Sequence, residues 1–167
     1  MRMRTVVVLA ALALVAVAGP AAATDINAFV GFDTGGSFDL GAVSVDSKTG
    51  YHLGIEVLVD LPVIEFGAGV EYGIPRGPKT GEGDLQYACV YGVGRLTLLG
   101  VLYATARYGY ADVDLDAVVA KKEDSGRLWS AGLGISLVDT LKVEALYTRI
   151  EAGFTYETYS ARLIYTF

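Results

Sequence analysis

The chain has a single histidine, His52, the side chain best suited to acid–base chemistry near neutral pH. A histidine base activates a nucleophile only within hydrogen-bonding reach, and no sequence motif ties a serine to His52. Ser37, Ser125 and Ser130 are merely available near the same end of the strands described below. A lone histidine without a positioned partner is usually polar lining, so the residues favour a non-catalytic His52.

A run of acidic residues is the second place where chemistry is conceivable. Asp112, Asp114, Asp116 and Glu123 fit positions 1, 3, 5 and 12 of a calcium-binding loop. That loop needs glycine at position 6 for its sharp turn, and this chain has Ala117 there. An acidic strand projecting into water explains the same residues, so no metal site or cofactor is expected. Loose contact of this segment with divalent cations stays open.

The elements that carry these residues show an alternation with a period of two. From residue 64, the apolar series Ile64, Phe66, Ala68, Val70 and Tyr72 alternates with Glu65, Gly67, Gly69, Glu71 and Gly73. Similar segments begin near residues 26, 51, 85, 102, 129, 142 and 159. Short connections lie at 60–62, 98–100 and 138–140, longer ones at 34–48, 75–84 and 112–125, and a brief one at 151–154. The sequence predicts an all-β fold with eight antiparallel strands in up-and-down order.

The polar faces of these strands distinguish a membrane barrel from a soluble one. A soluble barrel or sandwich would expose those faces to water, where glycine weakens a strand and covers nothing. Inside a narrow eight-stranded barrel, glycine leaves room for larger side chains of other strands. The alternation therefore predicts a transmembrane β-barrel with apolar residues facing lipid.

Two strands fit this pattern less well. In the segment from Leu85 to Leu96, Tyr87, Cys89, Tyr91 and Val93 form the apolar face, which predicts a lipid-facing Cys89. Arg95 shares that face, so it lies at the membrane boundary or a bulge turns it inward. In the first strand, Phe29 falls among the polar positions.

Residues 1–23 have the three parts of a secretory signal peptide. Arg2 and Arg4 precede an apolar run from Val6 to Ala18, and a small-residue cleavage site follows at 21–23. The prediction is a cleaved signal at 1–23 and one barrel domain at 24–167. The chain has 13 Lys and Arg against 19 Asp and Glu, for a net charge of −6. Nucleic acid, which needs a basic face, is not an expected partner.

The charged residues on the polar faces predict a network inside the barrel. Isolated charges in so narrow a lumen would be costly, so they are expected to pair and to plug the lumen. Glu144 and Arg162, at similar heights on the last two strands, are the expected direct pair. The predicted network comprises Glu56, Glu65, Glu71, Arg107, Lys142, Glu144 and Arg162, with the facing of Arg95 left open.

Aromatic residues on the apolar faces gather near the longer loops. Rings with a polar edge favour the membrane–water boundary, so this row predicts one interfacial girdle. Its members are Tyr51, Tyr72, Tyr108, Tyr110, Trp129 and Tyr147, with Phe32, Tyr87 and Tyr159 in the same row.

The C-terminal residues carry a resemblance to a known family. Tyr159, Ala161, Leu163, Tyr165 and Phe167 resemble the β-signal that ends outer-membrane proteins. With the signal peptide and eight strands, the chain resembles the small outer-membrane β-barrels of the OmpX and OmpA-transmembrane-domain type. The resemblance implies recognition by the barrel assembly machinery, contact with outer-membrane lipid, a monomeric state and periplasmic termini.

The expected function is that of a small outer-membrane protein with a filled lumen and a structural or surface-interaction role. A narrow pore for small solutes is the first alternative. The second is a lipid A-modifying enzyme using His52, because some eight-stranded barrels of this kind are acylases or deacylases that pair a histidine with a serine. The residues favour a protein without enzymatic activity.

Overall fold

The computed structural model describes residues 24–39, 44–46, 49–76, 83–117 and 120–167. The predicted signal peptide at 1–23 lies outside these residues. Nine strands occur in the described part of the chain: β1 (Thr24–Asp39), β2 (Ser44–Asp46), β3 (Gly50–Asp60), β4 (Ile64–Arg76), β5 (Gly83–Leu99), β6 (Leu102–Ala117), β7 (Ala120–Val138), β8 (Leu141–Glu151) and β9 (Thr155–Thr166).

Eight long strands close into a barrel, and the short β2 extends the first hairpin. Each long strand pairs antiparallel with the next along the chain, and β1 also pairs with β9, which closes the sheet. The predicted eight-stranded antiparallel up-and-down barrel is confirmed. No helix in the described ranges is long and apolar enough to cross a bilayer.

The two ends of the barrel differ. Short turns at 61–63, 100–101 and 139–140 define the turn end, which also holds the first residue of β1 and the last of β9. At Gly100 the backbone has a φ of 55°, a conformation that glycine adopts without steric strain. The opposite end, the loop end, carries the other four connections, between β1 and β3, β4 and β5, β6 and β7, and β8 and β9.

The strands at the loop end are longer than the sequence predicted. The segment 112–125 was expected to be a loop, but β6 and β7 remain paired from Leu102–Ile135 up to Ala117–Ala120. Residues 34–39, also expected in a loop, belong to β1, and Gly36 to Asp39 pair with β9 beyond a shift of register after Asp33. Strand pairing continues here because alternation persists while the faces exchange polarity.

That exchange of polarity divides the barrel into two levels. The lower level is the part nearer the turn end, and the upper level is the part nearer the loop end. In the lower level, outward residues are apolar, as at Leu133, which is 54% exposed. Near the loop end the inward residues become the apolar ones: Val113, Leu128, Ile150 and Tyr156 are at most 2% exposed. The outward positions beside them are charged, namely Glu123, Arg127 and Glu151, all of them exposed. The upper level therefore has the pattern of a water-exposed barrel with an apolar core.

The predicted facing of β5 is wrong. Tyr87, Cys89, Tyr91 and Val93 are buried inside the barrel at 2–5% exposure, so Cys89 does not face lipid. Arg95 shares their face and is also buried, without a bulge between it and Tyr87 in the β4–β5 register. The alternation was read correctly, but its apolar side points into the lumen.

Glycines on neighbouring strands explain how the lumen accommodates these rings. Gly73 lies directly opposite Tyr87, and Gly69 directly opposite Tyr91. A Cβ on Gly69 would approach the Tyr91 ring to 2.8 Å, closer than real side chains allow. The same pairing joins Gly54 with Phe29 and Gly134 with Tyr103. The luminal glycines thus make space for aromatic rings, as expected for a narrow barrel.

Candidate functional site: the luminal charge network

Four carboxylates and four cations meet in the lumen at the lower level. Each forms at least one ion pair within the network. The members are Glu56, Glu65, Glu71, Glu144, Arg95, Arg107, Lys142 and Arg162. All seven residues predicted for the network belong to it, and Arg95 joins them.

Arg95 is the hub of the network. Its Nε donates to Glu144 Oε1 at 2.8 Å, and its Nη1 lies 3.3 Å from Glu65 Oε2. Its Nη2 forms an ion pair with Glu56. Since these partners come from three different strands, one side chain links β3, β4 and β8 across the interior. The sequence alone does not determine whether Arg95 faces the lumen or lies at the membrane boundary.

Arg107 links Glu71, the partner of Arg162, to two carboxylates that also bind Arg95. Its Nη2 donates to Glu144 Oε2 at 2.6 Å and lies 3.0 Å from Glu56 Oε1. Its Nη1 lies 3.9 Å from Glu71 Oε2. Glu56 and Glu144 are completely buried, so their charges are balanced by these guanidinium groups and not by water.

The expected pair of Glu144 and Arg162 is not formed. The two residues lie directly opposite each other on β8 and β9, as predicted. Arg162 nevertheless pairs with Glu71, and Glu144 pairs with Arg95 and Arg107. The guanidinium carbon of Arg162 lies 4.4 Å from the centre of the Phe29 ring, which stabilises the cation by a cation–π contact.

Tyrosine hydroxyls satisfy further carboxylate oxygens. Tyr87 donates to Glu71 Oε1 at 2.6 Å, and Tyr91 donates to Glu56 Oε1 at 3.0 Å. On the turn side, Lys142 Nζ lies 2.7 Å from Glu65 Oε1. The two tyrosines were missed as site residues because the face of β5 was assigned to lipid.

His52 occupies a buried position on the loop side of the network, where it interacts electrostatically with Glu71 and its ring centre lies 6.2 Å from that of Phe29. Its Nδ1 lies 3.3 Å from Asp33 Oδ1, and both side chains are nearly inaccessible. Two of the three serines considered as partners form hydrogen bonds elsewhere: Ser125 Oγ contacts Tyr110 Oη at 3.0 Å, and Ser130 Oγ contacts Thr148 Oγ1 at 2.9 Å. The third, Ser37, lies on β1 opposite Glu157 of β9. The geometry thus supplies His52 with a carboxylate but not with Ser125 or Ser130 as a nucleophile.

The acidic residues at 112–117 and 120–123 lie on strands β6 and β7. Asp112 and Asp114 lie on β6, and Asp114 is directly opposite Glu123 on β7. The side chain of Asp116 lies outside the described residues. Among the residues that are described, no group of three or more His, Cys, Asp or Glu side chains could hold a metal ion.

The predicted girdle residues lie outward near the point where the faces exchange polarity. Tyr51 and Tyr108 are 63% and 62% exposed. The ring centres of Trp129 and Tyr147 are 5.3 Å apart, and Tyr147 is equally close to Tyr159. Tyr110 is also exposed, and Tyr72 is partly exposed. Tyr87, which was placed in the same row, is inside the barrel.

The residues of the predicted assembly signal form one outward face of β9. Tyr159, Leu163, Tyr165 and Phe167 are exposed, and Ala161 is partly exposed. The Tyr165 and Phe167 rings contact each other with centres 4.9 Å apart. This face lies on the strand that closes the barrel against β1.

Comparisons with known proteins show the fold. No family model and no curated protein sequence matches the chain. Among solved structures, the attachment invasion locus protein Ail of Yersinia pestis matches at 12% identity and a TM-score of 0.64, covering 86% of this chain and 98% of that one. Neisserial surface protein A matches at 10% identity and 0.57, covering 86% and 97%. The N-terminal barrel domain of Pseudomonas aeruginosa OprF matches at 12% identity and 0.56, covering 86% and 96%. The chain has the fold of the small eight-stranded outer-membrane β-barrels.

Proposed function

We propose that the protein is a non-conducting outer-membrane barrel whose role is structural and surface-interactive. The apolar outward surface of the lower level faces lipid, the termini are periplasmic, and the upper level projects outside the cell. The similarity to outer-membrane barrels supports this location, as does the girdle at the boundary between the two levels.

The filled lumen is the observation that carries the non-conducting role. Arg95 and Arg107 bridge the interior through carboxylates of β3 and β8, so ion pairs cross the lumen at its middle. Above them the apolar side chains of Val113, Leu128 and Tyr156 fill the upper level. A solute would have to displace both the ion pairs and the apolar side chains. The structure of the lumen therefore favours a plug over a narrow pore.

Solute efflux tests the plug. The folded protein is inserted into vesicles loaded with glucose or with a small fluorescent anion, and release is compared with protein-free vesicles. Release at the protein-free rate supports the proposal, and selective release of the small solute contradicts it. Vesicles that contain an open porin serve as the positive control. Arg95→Ala should stay closed, because Arg107 still bridges Glu56 and Glu144 and the apolar upper layer is unchanged.

We also propose that the protein has no enzymatic activity. The His52 imidazole and the Asp33 carboxylate are both buried, so a lipid substrate has no access to them. Mass spectrometry of lipid A from cells with and without the protein tests this directly. An acyl chain added or removed only in cells with wild-type protein, and not with His52→Ala, would contradict the proposal.

For biogenesis, we propose that Phe167 and the outward residues before it are recognised by the barrel assembly machinery, and that the product is a monomer. The outward apolar row on β9 supports this role because it is the last strand available before closure. Crosslinking from Phe167 to assembly components in cells tests the first statement, and the mass of the detergent-solubilised protein tests the second.

A further inference from the structure

A groove crosses the outward surface where β4, β5 and β6 meet the aromatic girdle. It has a volume of about 540 Å³ and is lined by Ala68, Val90, Gly92, Tyr108, Tyr110 and Arg127 among others. Ala68 lies directly opposite Gly92, and Gly92 directly opposite Tyr108. The two small residues thus form a floor, with tyrosines along one wall.

Gly92 differs from the glycines inside the barrel. A Cβ on a luminal glycine such as Gly69 would collide with an opposing side chain, so packing requires glycine there. A Cβ on Gly92 would come no closer than 3.8 Å to any atom, the nearest being backbone oxygens. The barrel's own packing therefore leaves room for a side chain at this position, and the groove is open only because none is present.

A cation stands at the loop end of the groove. Arg127 is exposed on the outward face, directly opposite Tyr110 on β6. On its other side it is directly opposite Glu151, but that carboxylate is engaged by Arg149 at 2.9 Å. The Arg127 guanidinium is thus presented to the surroundings at the level where the outward surface changes from apolar to charged.

We propose that this groove binds one phosphorylated lipid of the outer leaflet, with an acyl chain over Gly92 and a headgroup phosphate on Arg127. The apolar floor and tyrosine wall suit an acyl chain, and a guanidinium pairs with phosphate in a fork geometry. This inference rests on the proposed location, because the loop end of an outer-membrane barrel meets the leaflet whose phosphate-bearing lipid is lipid A.

Native mass spectrometry of the folded protein in detergent tests the proposal with three probes: lipid A, enzymatically dephosphorylated lipid A, and phosphatidylglycerol. We expect one lipid A bound per wild-type barrel and at least tenfold weaker binding by Arg127→Gln and by Gly92→Leu. Arg127→Lys should retain binding within about threefold because it keeps the charge. Ala104→Leu, which enlarges an outward small residue away from the groove, should bind like wild type.

The outcomes separate this site from general lipid contact. Equal binding by wild type, Arg127→Gln and Gly92→Leu would overturn the groove, as would equal binding of dephosphorylated lipid A. Tighter binding of phosphatidylglycerol than of lipid A would overturn the assignment of the lipid. Heat-modifiable gel mobility shows that each variant is folded. Absence of the wild type from the outer-membrane fraction of cells would instead contradict the proposed membrane location.

Discussion

The partners in the luminal network can be distinguished by double-mutant cycles that share one residue. Arg162 lies directly opposite Glu144 in the sheet but forms its ion pair with Glu71. The first cycle combines Arg162→Met with Glu71→Gln, and the second combines Arg162→Met with Glu144→Gln. Both carboxylates are buried and both changes preserve shape, so the second cycle is a matched control for the first.

The magnitudes follow from burial. The side chains of Arg162 and Glu71 are 2% and 5% exposed, so removing either partner leaves a buried charge without its direct ion-pair partner, at a cost of about 3–5 kcal/mol. The direct pair should show a coupling of roughly 2–3 kcal/mol, the upper part of the range for contacting residues. Glu144 reaches Arg162 only indirectly, through a guanidinium group of Arg95 or Arg107 and then a second carboxylate, so its coupling should be less than half of that value.

Urea unfolding in lipid vesicles provides the free energies, because Trp129 is the only tryptophan and lies outward at the girdle. Its fluorescence reports insertion without touching the network. A coupling for Glu144 and Arg162 as large as that for Glu71 and Arg162 would show that sheet register, not the cross-lumen contact, decides the pairing. Such a result would refute the cross-lumen pairing of Arg162 with Glu71.

Three further tests concern the barrel itself. Leu133→Arg should destabilise insertion by about 2–4 kcal/mol, whereas Ser136→Arg, on the luminal side of the same strand near the turn end, should be tolerated; equal folding yields in liposomes would contradict the facing of β7. Gly73→Leu should block folding because its side chain would occupy the position of the Tyr87 ring, whereas Gly94→Leu should fold, since a Cβ there has no neighbour within 4 Å; gel mobility compares the two. Phe167→Asp should leave the protein in the periplasm, and undiminished outer-membrane levels of this variant would show that Phe167 is not part of the assembly signal.

The fold could be predicted from sequence because alternate side chains of a barrel strand face the lipid and the lumen. These two environments impose a period of two on nearly every strand. The facing of β5 could not, because its tyrosines suit either lipid or a lumen, and only the opposing glycines decide between them. Arg95 on the same face of β5 was a signal that this face points into the lumen, and Phe29 among the polar positions of β1 was a similar signal. Matching each aromatic residue with a glycine on the neighbouring strand would have placed Tyr87, Tyr91 and Phe29 inside the barrel.

The ion pairs were harder to predict than the strands. Sequence register places Glu144 opposite Arg162 along the sheet, and that placement is correct. In a closed narrow barrel, however, long side chains reach across the interior as easily as sideways. The contact of Arg95 with Glu144 joins β5 and β8, which are not neighbours in the sheet. Such contacts form only when the barrel closes, so the residue pattern within one strand cannot predict them.

The exchange of polarity between the two levels also sets how thick a membrane the barrel matches. On β9 the outward apolar row runs from Tyr159 at the girdle to Phe167 at the turn end, eight residues farther on. At about 3.3 Å per residue and a tilt near 40°, that row spans roughly 20 Å along the membrane normal, slightly less than the ~25 Å apolar band typical of such barrels. A thicker bilayer would have to thin around the protein or cover its charged upper level. The barrel should therefore insert most readily into bilayers of lipids with short acyl chains. Bilayer thickness would then help to determine in which membrane the protein resides.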